Sequence, residues 1–271
     1  MKKRKLFVFA SVFFAVTLLA GAKVALANAK IDVTKGADGI VKYEYTGDLS
    51  KTDVRAMMEL PGIGKINPRM YGSPSVLPLS MGTGSYKLTI AEVLPDGKGR
   101  PLSTETFALT GAPDEKVMFT ISNMDINFDA SKVCIPEYKK LTGGLSGNDV
   151  TNKLWEEVVN NYTYDYDKAK AVVNKTLKNY LPDIDTIYDA KKGICYDYSA
   201  VLGGALRSQG IPVKMCKGYA ADVGEYHAWN EILVDGKWVV VDSTVDASYA
   251  AAGVAYKFEK DASKYKATSY S

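Results

Sequence analysis

The sequence predicts an α+β fold in which a small β-sandwich precedes helices packed on an antiparallel sheet. Short alternating stretches such as "IVKYEY" (40–45) lie between turns rich in Gly, Pro and Asp, and they indicate strands. Apolar residues then recur at helical spacing in 154–162. Near the end, two strand-like runs, 227–234 and 237–242, flank Asp235-Gly236, a dipeptide that favours a two-residue type I′ hairpin.

The remaining elements follow in chain order. "SYKLTIAEV" (85–93) alternates before the turn "PDGKGR" (95–100), and "TFALT" (106–110) follows as a candidate partner strand. These strands favour a sandwich of immunoglobulin-like type. A second apolar stripe predicts a helix over 172–181, which Pro182 ends.

The first segment has the residue order of a secretion signal. Basic residues 2–5 precede an apolar run over 6–22, and "ALANA" (25–29) offers Ala-x-Ala cleavage sites. We therefore predict a signal peptide over 1–27 and a secreted or cell-surface protein. An uncleaved membrane anchor is the alternative, but the run is short for a span and Lys23 interrupts it.

The net charge gives no support for a nucleic-acid partner. The whole chain has a formal charge of +3, and residues 1–27 carry five basic side chains and no acidic one. Removal of this segment leaves the rest of the chain at −2. The positive net charge of the whole chain therefore comes from the export signal. Membrane contact is expected only through that segment.

Cys195 lies where a helix is predicted to begin. Apolar residues follow it at positions i+3, i+6, i+7, i+10 and i+11, and Gly210 and Pro212 end the pattern. Unpaired N–H groups and the helix dipole favour negative charge at such an end, and hence a thiolate. Because buried cysteines are common, this position alone leaves a structural role open. Asp197, in the same first turn, is interpreted as a capping residue.

The hairpin turn sets the neighbours of His227, the one histidine of the chain. A two-residue turn pairs Leu233 with Trp238 and, further back, Trp229 with Asp242. His227 shares a face with Trp229, so it lies one diagonal step from Asp242, about 7–8 Å between backbones. A slip of one residue would turn Asp242 to the other face.

A thiol, an imidazole and a carboxylate are the groups that nucleophilic acyl transfer needs. The imidazole takes the thiol proton and later donates it to the leaving amine, while the carboxylate fixes the tautomer of the imidazole. The product is an acyl-thioester, which an amine or water opens. No cofactor is predicted, since three cysteines without a C-x-x-C pair and one histidine do not favour zinc, and no clustered acidic loop supports calcium.

Several pieces of 145–246 together resemble the transglutaminase-like superfamily, whose core has papain-like architecture. They are "GICYDYS" (193–199), "GYA" (218–220), "HAWNE" (227–231), "DGKWVVVDST" (235–244) and, upstream, "YTYDYDKA" (162–169). The resemblance implies a papain-like core of bacterial secreted type, with the cysteine helix packed on an antiparallel sheet. It also implies the roles of nucleophile, base and orienting residue for Cys195, His227 and Asp242.

The resemblance leaves two details open. Some members have an upstream aromatic as second oxyanion donor, and Trp155, Tyr164 and Tyr166 are the candidates here. A Cys134–Cys216 disulfide is also an open alternative in an oxidising compartment.

The sequence therefore predicts five segments. They are a signal peptide (1–27), a β-rich immunoglobulin-like domain (28–112), a linker (113–149), a transglutaminase-like catalytic domain (150–258) and a frayed polar tail (259–271).

The predicted function is that of a thiol enzyme, a protein cross-linker or a cysteine peptidase, acting on a protein or peptide substrate such as a cell-wall or cell-surface peptide. The alternative is a non-catalytic cell-surface binding or scaffolding protein that keeps the fold. A redox role is disfavoured because no resolving cysteine lies nearby in the sequence.

Overall fold

The computed structural model describes residues 16–18, 24–25, 28–177 and 180–271. The predicted signal peptide, 1–27, thus lies outside the described residues except for two short strand pieces. Within the described part of the chain, no helix is both long and apolar enough to cross a membrane.

The first half of the chain is formed by strands. They are β1 (Val16–Leu18), β2 (Val24–Ala25), β3 (Ala29–Asp32), β4 (Ile40–Tyr45), β5 (Val54–Leu60), β6 (Gly64–Ile66), β7 (Ser75–Pro78), β8 (Gly84–Val93) and β9 (Gly99–Leu109), with one 3-10 turn at Gly36–Asp38.

The second half mixes helices and strands. Its helices are α1 (Glu115–Met118), α2 (Cys134–Leu141), α3 (Asn148–Asn161), α4 (Tyr166–Val173), α5 (Ile184–Ala190), α6 (Cys195–Arg207) and α7 (Ser243–Ala251). Its strands are β10 (Thr163–Tyr164), β11 (Lys192–Gly193), β12 (Val213–Ala220), β13 (Tyr226–Val234), β14 (Lys237–Val241) and β15 (Tyr265–Tyr270), with a 3-10 turn at Ala262–Lys264.

Two antiparallel sheets form the predicted β-sandwich. One has the order β1-β9-β8-β5-β6, with β2 also on β9, and the other has the order β3-β4-β7. Side chains alternate between buried and half-buried along β5, as expected for a strand with one face in a core. Tyr43 of the smaller sheet and Met58, Leu88 and Phe107 of the larger one share that core.

Helix α6 forms the centre of the second half. It packs on the antiparallel sheet β14-β13-β12-β15 and is flanked by α2, α3 and α5. From Asp197 to Arg207 every residue of α6 is buried, because this helix has protein on all sides. The predicted α+β fold is confirmed, with the cysteine at the first residue of the helix that packs on the sheet.

The β13–β14 hairpin has the predicted register. Val234 pairs with Lys237 and Leu233 with Trp238 across a two-residue turn. Asp235 and Gly236 both have positive φ, 49° and 78°, as a type I′ turn requires. The last residue of β14, Val241, thereby pairs with Asn230, three residues after His227.

Three segments differ from the prediction. The helix predicted over 172–181 differs in the described residues: α4 ends at Val173, residues 174–177 are not helical, and Val172 and Val173 are exposed instead of forming a buried stripe. The predicted linker, 113–149, contains α1 and α2 and contributes Cys134 and Tyr138 to the main core.

The third difference is the predicted tail, of which Tyr265–Tyr270 forms β15 on the edge of β12 and is not frayed. Glycine makes this pairing possible, since a Cβ at Gly218 would lie 2.1 Å from the carbonyl oxygen of Lys266. One face of β15 packs on Trp229 through Tyr265 and Ala267. The strand therefore belongs to the sheet that carries the candidate site.

Candidate active site

Gly193 and Asp197 set the position at which α6 begins. The Asp197 carboxylate folds back and accepts a hydrogen bond from the backbone N–H of Ile194 at 2.8 Å. Its side chain occupies the space beside Gly193, where an added Cβ would lie 2.5 Å from the Cβ of Asp197. Glycine before the cysteine is thus a steric requirement, and Cys195 becomes the first residue of the helix.

The three cysteines differ in their surroundings, and all are free. Cys134 and Cys216 are buried, and burial raises the pKa of both thiols well above the ordinary value, so both stay protonated. The alternative Cys134–Cys216 disulfide does not form. Cys195 is the partly exposed thiol among the three.

His227 and Asp242 meet across the hairpin, as the register predicts. His227 near the start of β13 is 5% exposed, and Asp242 just after β14 is fully buried. The Nε2 atom of His227 lies 2.8 Å from Oδ2 of Asp242. The other ring nitrogen, Nδ1, is not used by Asp242, and Cys195 lies close enough to raise the pKa of the ring.

These neighbours control the charge of the imidazole. Burial alone would lower the pKa of His227, but hydrogen bonds to Asp242 and Cys195, and the negative charges of both, raise it to about 10. A protonated ring between a carboxylate and a thiol is therefore the favoured state at neutral pH.

Two further donors hold Asp242. Its Oδ1 accepts from the backbone N–H of Val245, which makes Asp242 the N-cap of α7. Its Oδ2 also accepts from the hydroxyl of Tyr265, at 3.0 Å. Tyr265 was not predicted as a site residue, although the alternation in "YKATSY" (265–270) indicates a strand there.

A cleft of about 200 Å³ opens beside the ring of His227. Its lining consists of Tyr164, Tyr166, Val223, His227, Thr244, Val245 and Ser248. The rings of Tyr164 and Tyr166 are in edge contact, with centroids 5.0 Å apart.

The three candidate oxyanion donors lie in different environments. The Nε1 atom of Trp155 donates to Oδ2 of Asp246 at 3.0 Å, so its hydrogen is already used. Tyr166 is 75% exposed. Tyr164 is half-buried, and burial together with the nearby charge of Cys195 raises its pKa to about 12. Tyr164 is thus a protonated hydroxyl in the electrostatic neighbourhood of the thiol.

The structure joins His227 directly to Asp242 and places Cys195 near enough to influence the ring; the catalytic roles of all three stay a prediction. Among the residues it describes, no group of three or more His, Cys, Asp or Glu could hold a metal ion.

Part of the chain matches a known family of proteins. Residues 140–243, which include all three predicted site residues, match the model of the transglutaminase-like superfamily. The matched segment is less than half of the chain. A search of curated proteins found no significant match.

Three solved structures are similar to the chain. A candidate cysteine protease from Cytophaga hutchinsonii is 12% identical to this chain, with a TM-score of 0.41. The matched region covers 84% of this chain and 70% of the protease chain. A TGase is 20% identical with a TM-score of 0.36, covering 54% and 42%. Red sea bream transglutaminase is 13% identical with a TM-score of 0.31, covering 76% and 48%. The chain thus spans less than half the length of the last two.

Proposed function

We propose that this protein is a thiol enzyme that forms an acyl-thioester on Cys195 from a protein or peptide amide and transfers the acyl group to an amine or to water. The observation that carries the proposal is the position of the His227 ring relative to Asp242 and Cys195. The ring contacts the Oδ2 atom of Asp242 at 2.8 Å, and Cys195 is near enough to raise the pKa of the ring.

The proposed reaction uses each group in turn. In the resting site the imidazolium of His227 holds the proton taken from Cys195, and the Cys195 thiolate attacks the carbonyl carbon of the amide. The tetrahedral intermediate collapses when His227 donates the proton to the leaving amine, which leaves a thioester. An incoming amine or water then gives its proton to His227, attacks the thioester and releases the thiolate.

Two features of the site support this sequence of steps. The raised pKa of His227, about 10, keeps on the ring the proton that the leaving amine needs. The N-terminus of α6, at which Cys195 lies, favours both the thiolate and the oxyanion of the intermediate.

We also propose that the enzyme acts outside the cytoplasm, on cell-wall or cell-surface peptides. The support is the basic, apolar and Ala-x-Ala order of residues 1–27. Mass spectrometry of the protein purified from its native host tests this, because a cleaved leader gives a chain that begins after Ala27 or Ala29.

Alkylation followed by an acyl-transfer assay tests the activity. We expect iodoacetamide at mildly acidic pH to label Cys195 selectively, and a His227→Ala variant to lose this selectivity. A glutamine-containing peptide is then incubated with and without a primary amine, and its mass shows transamidation, deamidation or cleavage. Equal, slow labelling of all three cysteines and no change in peptide mass would favour the non-catalytic scaffold.

A further inference from the structure

A buried carboxylate lies two residues after the candidate nucleophile. Asp197 is fully buried in the first turn of α6, and besides the Ile194 N–H it accepts two side-chain hydrogen bonds. The Nζ atom of Lys168 lies 2.8 Å from its Oδ2, and the hydroxyl of Tyr180 lies 2.6 Å from its Oδ1. Both partners come from outside α6.

Lys168 and Tyr180 also contact each other. The Nζ atom of Lys168 lies 3.1 Å from the hydroxyl oxygen of Tyr180 and 4.8 Å from the centroid of its ring. Burial and the hydrogen bond to Asp197 raise the pKa of Tyr180, so its hydroxyl stays protonated and donates. The lysine, the tyrosine and the aspartate therefore form a closed three-membered network, called here the Lys168–Asp197–Tyr180 network.

This network joins one wall of the cleft to the turn that carries Cys195. Lys168 belongs to α4, which begins beside Tyr164 and carries Tyr166, two of the residues that line the cleft. The same helix is also tied to the cysteine loop by the backbone N–H of Asp165, which donates to the carbonyl of Gly193 at 2.8 Å. The wall that carries the tyrosines and the turn that carries the thiol are thus held together.

The network has an electrostatic consequence for Cys195. The N-terminus of a helix favours negative charge, but a second anion in the same turn opposes a thiolate there. Asp197 is such an anion, and it is too deeply buried for water to screen it. The ammonium of Lys168 compensates its charge at 2.8 Å.

We propose that Lys168 and Tyr180 are positioning residues: through Asp197 they fix the first turn of α6, and Lys168 cancels the negative charge that would otherwise oppose the Cys195 thiolate. The proposal rests on the proposed function, in which that thiolate is the nucleophile. It adds residues that act on Cys195 through Asp197 without contact with the substrate.

Other ionisable groups lie near this end of α6 and near Tyr180. They are Tyr164 on β10, Asp165 before α4, Asp183 before α5, Lys192 on β11, Glu225 in the loop before β13, His227 on β13, and Asp242 behind the imidazole. Lys192 and Asp165 pair with each other at 3.4 Å. The variants below leave all of these groups in place.

The test is the pH profile of Cys195 alkylation in the full chain, followed by mass spectrometry of the labelled peptide. We expect Lys168→Met to move the midpoint of the profile to higher pH by about one unit, which is a roughly tenfold loss of rate below the midpoint. Asp197→Asn should move the midpoint to lower pH, because Lys168 is then uncompensated. A role in folding alone does not produce shifts of opposite sign.

Two further variants serve as controls. Lys168→Arg keeps the charge and should restore the wild-type midpoint, and Lys170→Met, on the exposed face of the same helix, should leave it unchanged. Circular dichroism shows whether each variant is folded. If Lys168→Met does not fold, the shift in Asp197→Asn decides the question.

The outcomes separate the two proposals. If wild-type Cys195 reacts no faster than Cys134 and Cys216, the proposed function fails. If wild-type Cys195 is selectively reactive but Asp197→Asn has the wild-type midpoint, or Lys168→Met behaves like Lys170→Met, the positioning role alone is overturned.

Discussion

The hydroxyl of Tyr265 donates to the same oxygen of Asp242 that faces His227, at 3.0 Å and 2.8 Å respectively. Tyr265 is the first residue of the last strand, β15, whereas His227 and Asp242 belong to the hairpin. With the N–H of Val245 on the other oxygen, three donors hold this carboxylate. The end of the chain thus takes part in orienting the candidate base.

Tyr265→Phe tests this relationship. The substitution keeps the ring, which packs edge-on against Trp229, and removes only the hydrogen bond to Asp242. A hydrogen bond to a charged group contributes about 1.5–3 kcal/mol, so we expect kcat to fall roughly tenfold or more through loss of His227 orientation. Steady-state kinetics with the glutamine peptide measures the effect.

Tyr270→Phe is the matched control for that variant. Tyr270 is at the other end of β15, and its ring, which lies near Lys214, is also kept. We expect this variant to have wild-type kcat. Equal kinetics for the two phenylalanine variants would show that Tyr265 has no part in orienting Asp242.

The protonation state of His227 gives a second prediction. Because its raised pKa is about 10, the ring stays an imidazolium across neutral pH and loses its proton only near pH 10. We therefore expect the rate of acylation to fall above that pH, since the proton for the leaving amine is then absent. The chain has one histidine, so a single imidazole signal in an NMR titration reports the pKa directly.

Asp242→Asn should lower the pKa of His227, because the substitution removes the negative charge next to Nε2. An adjacent opposite charge shifts a pKa by about 1–3 units, and that is the expected change. Asp96→Asn, in the exposed β8–β9 turn, should leave the titration unchanged. A wild-type midpoint near the ordinary value of 6.5 would contradict the buried ion pair.

Local chemistry explains which parts of the site could be predicted from the sequence. A two-residue turn with Asp235-Gly236 permits one register, and that register ends with Val241 opposite Asn230, so that the next residue, Asp242, lies near His227. The beginning of α6 at Cys195 was likewise evident from the apolar spacing and from Gly193. Both depend on residues close together in the chain.

Contacts between distant residues could not be predicted in the same way. Tyr265 reaches Asp242 only because β15 pairs with β12, and Lys168 reaches Asp197 only because α4 folds onto the start of α6. The stripe over 172–181 was misinterpreted because α4 ends at Val173, where Val172 and Val173 are exposed, and Lys175 shortly after it has a positive φ of 58°. Apolar spacing alone does not extend a helix where no other element packs on its apolar face.

Gly193→Ala is predicted to destabilise the fold and to disturb the site. The added methyl group would lie 2.5 Å from the Cβ of Asp197. This side chain cannot easily move away, because three hydrogen bonds hold its carboxylate in place. Overpacking of this kind costs about 1–3 kcal/mol of unfolding free energy. Urea denaturation measures the loss, and alkylation of Cys195 should slow in parallel.

Gly224→Ala is the control for the steric argument. An added Cβ at Gly224 would meet nothing within 4 Å, and this glycine does not have a positive φ. We expect its unfolding free energy to stay within about 0.5 kcal/mol of wild type. If Gly193→Ala were equally harmless, Asp197 would have room to move, and the tight packing described for this turn would be wrong.

Variants of Tyr164 and Trp155 can show which of the two side chains is the second oxyanion donor. Tyr164 lines the cleft and is influenced by the charge of Cys195, whereas the indole N–H of Trp155 is bound to Asp246. Loss of one oxyanion donor lowers kcat by about 10²–10³-fold. We expect the kcat of the Tyr164→Phe variant to be lowered by that factor, with a smaller change in KM. Trp155→Phe should instead lower stability, by about 1–2 kcal/mol, and keep kcat.

Tyr166→Phe separates this effect from a general change in the cleft wall. Tyr166 touches the ring of Tyr164 but is mostly exposed, so removal of its hydroxyl should leave kcat near wild type. A large loss of kcat in Trp155→Phe would mean that the indole leaves Asp246 when substrate binds. Equal kcat in the Tyr164 and Tyr166 variants would leave the N–H groups at the start of α6 as the sole donors, because no other assigned hydroxyl would then stabilise the oxyanion.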